Sequence, residues 1–394
     1  MNINEFEQEG RNILDFWIKY AFQKEKPLFY FIIDEDNKPG CEMYKTKANP
    51  EGAALLISAR CLWAFSKGYE IFGDEKYLKA ADRAFEGYPL FRDSINGGFH
   101  TFIFPDEKFD RKKIYDHAFA IYGLSQYYFV SKKKEALDLA FEIFDFIEEV
   151  ACDKELGGYY NHFSVDWKPT EQPRRYPENT VKDMNCMLHL LEAYTLFYDV
   201  TKDEKVLDAL KKLTRITLDK IVNKETGHLN MYFDRKLNVL SDEITCGHDI
   251  ETSWLLWETA LVLDDEELKK EIKEATLLLA NAGLRDGFFE EHGGIFNKTK
   301  KGLHTNWWEQ AEAVVGTYNV YSLTGEEKYL SYSEKIWEFI KRVFIYENGE
   351  WRDSLFIPFE SGEYIFPNPV KVTPWKCPYH NFRMCAEMMR RITK

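Results

Sequence analysis

Residues 248–257 read HDIETSWLLW, and this stretch predicts a buried helix with two polar side chains on one of its faces. Tryptophan and leucine fill its second half, so the segment is apolar on most sides, which is typical of a helix inside a protein. His248 and Glu251 are three residues apart and therefore share a face. A buried imidazole and carboxylate are unfavourable unless polar groups meet them, so the pair indicates a lined cavity.

Segments of the same kind recur along the chain with a period of about 60 residues. Six helices apolar on most sides are predicted at about 51–70, 115–130, 183–200, 248–263, 305–323 and 378–392. Between them, amphipathic helices are predicted at about 4–23, 75–89, 134–151, 203–221, 265–282 and 328–343. Helix pairs repeated at a fixed period form either an open solenoid or a closed ring. Six inner and six outer helices predict an all-α fold, the (α/α)6 barrel.

The connections between the predicted helices repeat as well. The turn sequence GDEKYL at 73–78 returns as GEEKYL at 325–330. Glycine-bearing segments at 97–99, 157–159, 227–229 and 293–295 predict short hairpins after the outer helices. No linker is evident, so we expect residues 1–394 to form a single catalytic domain.

Composition excludes several classes of partner. The net charge is −14 and no dense Lys/Arg cluster occurs, which argues against nucleic acid. The N-terminus lacks a signal-peptide pattern and no apolar run reaches the roughly 18 residues of a membrane span, so we expect a cytoplasmic protein without membrane contact. Seven cysteines without a C-x-x-C pair suit reduced thiols. Oligomeric state leaves no readable signal, and a monomer is compatible with the sequence.

The inner helices carry polar and aromatic residues at their beginnings. They are Tyr115, His117, Asn185, His189, His248, Glu251, Trp307, Trp308, Glu309 and His380, with Arg60 further along the first inner helix. Beginnings of parallel inner helices gather at one end of a barrel, so these groups predict one cavity. A lone buried histidine such as His117 is more often a satisfied core residue. The adjacent Trp307 and Trp308 cannot both face the same way, so we expect at least one of them to be part of the wall.

Metal and cofactor sites are not predicted. The chain has no H-E-x-x-H motif and no duplicated Glu-x-x-His set, and it lacks the glycine-rich motifs that bind phosphates and dinucleotides. The aromatic share is 16%, and rings in such supply can line a pocket for a neutral sugar. A small-molecule sugar is therefore the expected partner.

Several separated strings resemble the signatures of the cellobiose 2-epimerases, within the wider N-acylglucosamine 2-epimerase superfamily. Residues 248–256 read HDIETSWLL and residues 375–385 read WKCPYHNFRMC; the segments 115–128, 183–195 and 307–312 are also similar to that family. The resemblance implies an (α/α)6 barrel. It departs at Cys186-Met187, where the family often has Thr-His, and at His117, where it has Gln, and these differences put substrate choice in question.

Residue roles follow from this resemblance. It implies that His248 and His380 are the general acid and base at C2 of a sugar, and that Glu251 and His189 assist ring opening and orient the site. Substrate contacts are implied for Arg60, Tyr115, Phe119, Asn185, Trp308 and Trp375. The implied reaction inverts C2 of the reducing-end glucose of a β-1,4-linked disaccharide, cellobiose and also lactose, without metal or cofactor.

The chemistry agrees with these residue types. Inversion at C2 needs one group to remove a carbon-bound proton and another to return one to the opposite face of a cis-enediol, and histidine titrates in the useful range. Within this class, a mannose 2-epimerase or mannose isomerase acting on monosaccharides remains open. An inverting glycoside hydrolase also remains open; it would need a second carboxylate beside Glu251, and Asp116 and Glu309 are the weaker candidates. A helical scaffold without catalysis is a third alternative.

Overall fold

A computed structural model describes residues 1–40, 52–104, 111–173, 176–347 and 349–393. The inner helices are α2 (Leu55–Phe72), α4 (Ile114–Ser131), α6 (Met184–Thr201), α8 (Cys246–Val262), α10 (Trp307–Thr324) and α12 (Tyr379–Ile392). The outer helices are α1 (Ile3–Phe16), α3 (Glu75–Glu86), α5 (Lys134–Val150), α7 (Glu204–Ile216), α9 (Glu266–Gly287) and α11 (Glu327–Val343). Every predicted helix is confirmed, although residue 51, the predicted start of the first inner helix, lies outside the described residues.

The inner helices form a closed ring. Each packs against the next, from α2 through α4, α6, α8 and α10 to α12, and α12 packs in turn against α2. Each outer helix packs against the inner helix beside it, and α1 lies against both α12 and α2. This is the (α/α)6 barrel that the alternating pattern predicts, because only a closed ring gives every inner helix two inner neighbours.

Burial explains why the two kinds of helix take these places. On the outer helix α7, the buried residues follow one stripe: Val206, Ala209, Leu210, Leu213 and Thr214. That spacing covers a single face and leaves the other face for water. On the inner helix α4, burial is continuous from Ile114 to Tyr127, so neighbours cover every face.

The repeated turn joins inner to outer helices as predicted. Helices α2 and α10 end at Gly73 and Gly325, whose φ angles of +64° and +71° lie in the left-handed region that glycine adopts without strain. Asp74 then caps α3 by accepting a hydrogen bond from the backbone N–H of Lys76.

Short strands lie at the other end of the helix pairs. Their bounds are Ile33–Asp34, Ala53–Ala54, Phe102–Ile103, Arg111–Lys113, His162–Ser164, Lys182–Asp183, Tyr232–Phe233, Phe288–Phe289, Gly294–Ile295, Asn297–Lys298, Gly302–Asn306, Ser354–Pro358 and Val370–Val372. The four predicted hairpins are confirmed, with antiparallel pairing of Arg92 with Phe99, Cys152 with Tyr159, Val222 with Leu229, and Phe288–Phe289 with Gly294–Ile295.

Two of these hairpins are each anchored by a buried lysine. Lys112, just before α4, donates to Asp93, and Lys182, just before α6, donates to Asp153. Each aspartate also accepts backbone N–H groups within its own hairpin. The hairpins are thereby fastened to the beginnings of the inner helices, where the polar side chains lie.

In the described residues, no helix is long and apolar enough to cross a membrane.

Candidate active site

A cavity of about 760 Å³ opens at the end of the barrel where the inner helices begin. Nine of the ten site residues expected from the sequence line it: Arg60, Tyr115, Asn185, His189, His248, Glu251, Trp308, Trp375 and His380. The tenth, Phe119, is 1% exposed and packs behind this lining, against Arg60 and His189. Trp307 and Trp308, the first two residues of α10, both line the cavity, so both are part of its wall.

Two histidines from different helices flank one indole. The ring of His248, near the start of α8, lies 4.6 Å from the ring of Trp308 between centroids. The ring of His380, near the start of α12, lies 5.7 Å from the same indole. Both imidazoles therefore face one compartment, a geometry in which two groups can act on the same bound molecule.

Each cavity histidine is held through its Nδ1 atom. His380 Nδ1 lies 2.7 Å from Glu312 Oε1, and His189 Nδ1 lies 2.9 Å from Glu192 Oε2. A carboxylate accepts, so these two rings carry their proton on Nδ1 and present an Nε2 lone pair. His248 Nδ1 instead lies 2.7 Å from the hydroxyl of Thr245, which can donate or accept. Among the residues that the structure describes, no group hydrogen-bonds Nε2 of these three rings.

A buried arginine gathers the carboxylates beneath the cavity. Arg383 Nη2 donates to Glu251 Oε1 at 2.7 Å and to Glu312 Oε1 at 2.6 Å, and Nη1 donates to Glu192. Glu251, Glu312 and His380 place ligand-type atoms within 4.8 Å of one another, a grouping that could hold a metal ion. The Arg383 guanidinium already supplies the positive charge there, because its N–H groups meet both carboxylates.

Burial sets the charge state of the imidazoles. It lowers the pKa of His248 to about 3 and that of His189 to about 4. Burial, together with the positive charges of Arg60 and Arg383, also lowers the pKa of His380 below its ordinary value. At neutral pH all three rings are therefore neutral and available as bases.

The pKa values of the buried carboxyl groups shift in opposite directions. Burial raises the pKa of Glu251, and the nearby Glu312 raises it further. Burial also raises the pKa of Glu312 itself. Burial alone would raise the pKa of Glu192 too, but Arg383 and His189 outweigh it and hold that pKa at about 2. Glu192 is therefore the firmly ionised member of the group.

Several polar atoms of the lining have no partner within the described protein. They are Asn185 Oδ1, Glu251 Oε2, Trp307 Nε1 and Arg60 Nε. Buried polar atoms are normally satisfied, so unpaired ones require an explanation. Two acceptors and two donors around one cavity match hydroxyl groups, since a hydroxyl both donates and accepts.

Arg60 lines the cavity and is held in place by hydrogen bonds. Its Nη2 donates to the hydroxyl of Tyr115 at 2.7 Å and its Nη1 donates to the carbonyl of Trp375 at 3.2 Å. Its guanidinium lies 4.1 Å from the centre of the Phe119 ring and 4.6 Å from that of Tyr379. A buried cation held in this way favours negative charge that develops nearby.

Two polar residues at helix beginnings lie outside the cavity lining. His117 is fully buried and accepts the backbone N–H of Phe99 on one hairpin. Glu309 completes a capping box at the start of α10, where its carboxylate accepts the backbone N–H of Asn306 and the hydroxyl of Thr305. Both residues stabilise the frame, as the structural interpretation of His117 expects.

Three important residues escaped the sequence reasoning: Glu192, Glu312 and Arg383. One signal was available, because His189 and Glu192 have the same spacing as His248 and Glu251. In the structure, the pair at 189 and 192 is bonded directly, whereas His248 and Glu251 each bond to another partner. Glu312 and Arg383 lie inside the strings quoted above, but no local pattern connects them.

The comparisons with known proteins agree with this architecture. The sequence model of the N-acylglucosamine 2-epimerase (GlcNAc 2-epimerase) family matches residues 7–361. A cellobiose 2-epimerase of Dictyoglomus turgidum is 35% identical over 98% of this chain and 97% of its own length, and one of Bacteroides fragilis is 36% identical over 96% and 95%. The crystal structure of a sugar epimerase from a ruminal bacterium superposes with a TM-score of 0.88 at 34% identity, covering 99% of each chain.

The chain therefore belongs to the N-acylglucosamine 2-epimerase family and is a carbohydrate epimerase, an enzyme of the isomerase class.

Proposed function

We propose that this enzyme inverts C2 of the reducing-end glucose of a β-1,4-linked disaccharide, converting cellobiose to glucosyl-mannose and acting also on lactose. The observation that carries the proposal is the placement of His248 and His380 on two helices around one indole. A cavity of about 760 Å³ suits a ligand larger than a single sugar ring. The cellobiose 2-epimerases among the relatives support the choice of substrate.

The reaction begins once the sugar ring has opened to the aldehyde. Nε2 of one imidazole removes the proton from C2, and the electron pair of the C–H bond forms the C1–C2 double bond while the oxygen at C1 takes up negative charge. The imidazolium passes its proton to that oxygen, which completes a planar cis-enediol. The second imidazole then takes the proton from this hydroxyl and delivers it to C2 from the opposite face. Over one turnover, each ring therefore holds the proton in turn, and both rings end in the neutral form in which they began. His189 and Glu251 orient the opened chain and assist ring opening.

His380 and His248 differ in how they are held, and this suggests a division of labour. Glu312 fixes the proton of His380 on Nδ1, which leaves Nε2 as a ready base. The hydroxyl of Thr245 allows His248 to carry its proton on either nitrogen. In the direction from glucose to mannose we assign proton removal to His380 and proton return to His248.

The oxygen at C1 gains negative charge as the enediol forms. The positive charge of Arg60 lies at the cavity, and the N-terminal ends of the inner helices point toward it, so both favour that charge. Preorganised donors of this kind contribute about 3 kcal/mol each in comparable oxyanion sites. Asn185 and Glu251 supply free oxygen atoms to the sugar hydroxyls, while Tyr115, Trp308 and Trp375 supply ring faces. The route requires neither a metal nor a nicotinamide.

The test is product analysis in D2O with cellobiose, lactose, glucose and mannose. The proposal expects the two disaccharides to be converted to their 2-epimers with deuterium appearing at C2. Conversion of mannose to fructose with no change in either disaccharide would instead show a mannose isomerase. Release of free glucose from cellobiose would show a glycoside hydrolase, and no turnover of any sugar would contradict all of these activities.

A further inference from the structure

Glu350 is a buried carboxylate that none of the steps above uses. It is 0% exposed and lies in the segment that follows α11. Its Oε1 accepts from Lys376 Nζ at 2.7 Å, from Asn381 Nδ2 at 2.7 Å and from the backbone N–H of Trp351 at 2.7 Å. Its Oε2 accepts the indole N–H of Trp17 at 2.5 Å. Four donors on one carboxylate make a rigid junction between distant parts of the chain.

Two of these donors enclose the last stretch of the cavity wall. Lys376 follows Trp375 directly, and Asn381 follows His380 directly. Glu350 therefore binds the segment 375–381 near both of its ends, on the side away from the cavity. On the cavity side, Arg60 donates a hydrogen bond to the backbone carbonyl of Trp375. The ammonium of Lys376 also lies 5.4 Å from the centre of the Trp307 ring, so the same junction supports a second wall residue.

The ion pair between Glu350 and Lys376 strengthens the attachment of this segment. Both side chains are 0% exposed, so neither charge can be satisfied by water. Removing one partner of such a pair leaves an uncompensated buried charge, which forces the local structure to rearrange. The segment free to rearrange is the one that carries Trp375 and His380.

We propose that Glu350 is a positioning residue, which sets the place of the segment 375–381 so that Trp375 and His380 meet the sugar together. This inference rests on the proposed function for its kinetic consequence, but not for its structural one. Displacement of a reacting group by about 1 Å lowers rates on the order of 10²-fold, and Glu350 acts through His380 in this way.

The experiment compares Glu350→Gln with wild type and with Glu9→Gln. Glu9 is a matched control, because it is 6% exposed and accepts the indole N–H of Trp351, the residue after Glu350, at 2.6 Å. Within the described part of the chain, Glu9 has no hydrogen bond to Lys376 or Asn381. Kinetics with cellobiose should show kcat about 10²-fold lower in E350Q, with KM changed far less, and near wild type in E9Q. Equal kcat in E350Q and E9Q would overturn the proposal.

Hydrogen–deuterium exchange provides a readout that does not depend on the substrate. The backbone N–H groups of Trp375 and Lys376 are protected by the hydroxyl of Thr373. Peptides that cover 373–382 should exchange about tenfold faster in E350Q than in E9Q or wild type, a change that corresponds to about 1.4 kcal/mol of lost protection. Unchanged exchange there would refute the positioning role. If wild type left cellobiose unchanged while this exchange difference appeared, the proposed function would fail and the positioning role would stand.

Lys376→Met tests the same junction if E350Q does not fold. Methionine matches the lysine side chain as far as Cε but removes the charged ammonium group, and the other donors of Glu350 remain. K376M should reproduce the fall in kcat and the faster exchange at 373–382. Wild-type kcat in a folded K376M would count against the inference.

Discussion

Replacing His117 by glutamine should make the protein less sensitive to acid. The ring is fully buried; its Nδ1–H donates to the carbonyl of Lys113 at 2.8 Å, and its Nε2 accepts the backbone N–H of Phe99 at 3.1 Å. A protonated ring would lose that acceptor, and burial accordingly lowers the pKa of His117 to about 4. Glutamine offers a donor and an acceptor as well, but it takes up no proton.

The magnitude follows from the two pKa values, about 4 in the folded protein and 6.5 for an ordinary histidine. Between them the unfolded chain binds more protons, so the free energy of unfolding falls as the pH falls. The loss due to His117 is about 0.2 kcal/mol at pH 7 and about 2 kcal/mol at pH 5. Between pH 7 and pH 5, the free energy of unfolding of H117Q should therefore rise by about 2 kcal/mol relative to that of wild type.

Urea unfolding followed by tryptophan fluorescence at pH 5, 6, 7 and 8 measures this difference. His228→Gln is the matched control of opposite sign, because its hydrogen bonds to Asp249 and Asp286 raise the pKa of His228. The stabilisation due to His228 is present below pH 6.5 and is lost as pH rises through its folded pKa. The free energy of unfolding of H228Q should therefore fall further below that of wild type at pH 5 than at pH 8. Parallel pH curves for H117Q and wild type would refute the reasoning.

Further predictions concern the cavity. His248→Asn or His380→Asn should lower kcat for C2 inversion by about 10² to 10⁴-fold with urea unfolding little changed, and a folded variant with near wild-type turnover would disprove its assigned role. Glu312→Gln should reduce kcat on the order of 10²-fold, because the amide no longer fixes the Nδ1 proton of His380; chromatography of the product measures it, and retained kcat would argue against this orientation. Asn185→Ala should raise KM about tenfold through the loss of one hydrogen bond to the sugar, and an unchanged KM would remove Asn185 from the binding set. Since burial and the positive charges of Arg60 and Arg383 lower the pKa of His380, the assigned base, its base form persists below pH 6.5, and the acid limb of kcat/KM for cellobiose should lie below that value in wild type; a midpoint at the ordinary value of 6.5 or above would contradict this.

Most of the fold could be predicted because it rests on local signals. Alternating apolar and amphipathic segments, repeated turns at 73–78 and 325–330 and glycine-bearing hairpins each depend on neighbouring residues, and all appear in the structure. Helix ends agree less closely: α9 continues to Gly287, past the predicted end at about 282.

The candidate site was only partly predictable. Residues at helix beginnings share a position in sequence, yet His117 and Glu309 turn toward hairpins and caps while His248 and His380 turn toward the cavity, a choice that depends on the packing of neighbouring elements. Arg383 joins Glu251 across 132 positions, and Glu350 sits in a polar turn with no pattern of its own. Such contacts exist only after the ring has closed.

Ring closure also ties the site to the whole length of the chain. Arg60 comes from the first inner helix and touches the carbonyl of Trp375, 315 positions later, while His380 belongs to the last inner helix. During synthesis, the ribosome must release nearly the entire polypeptide before these groups can meet. A nascent or truncated chain would therefore hold sugar-facing residues without a working centre, and catalysis would report that the last helix has docked.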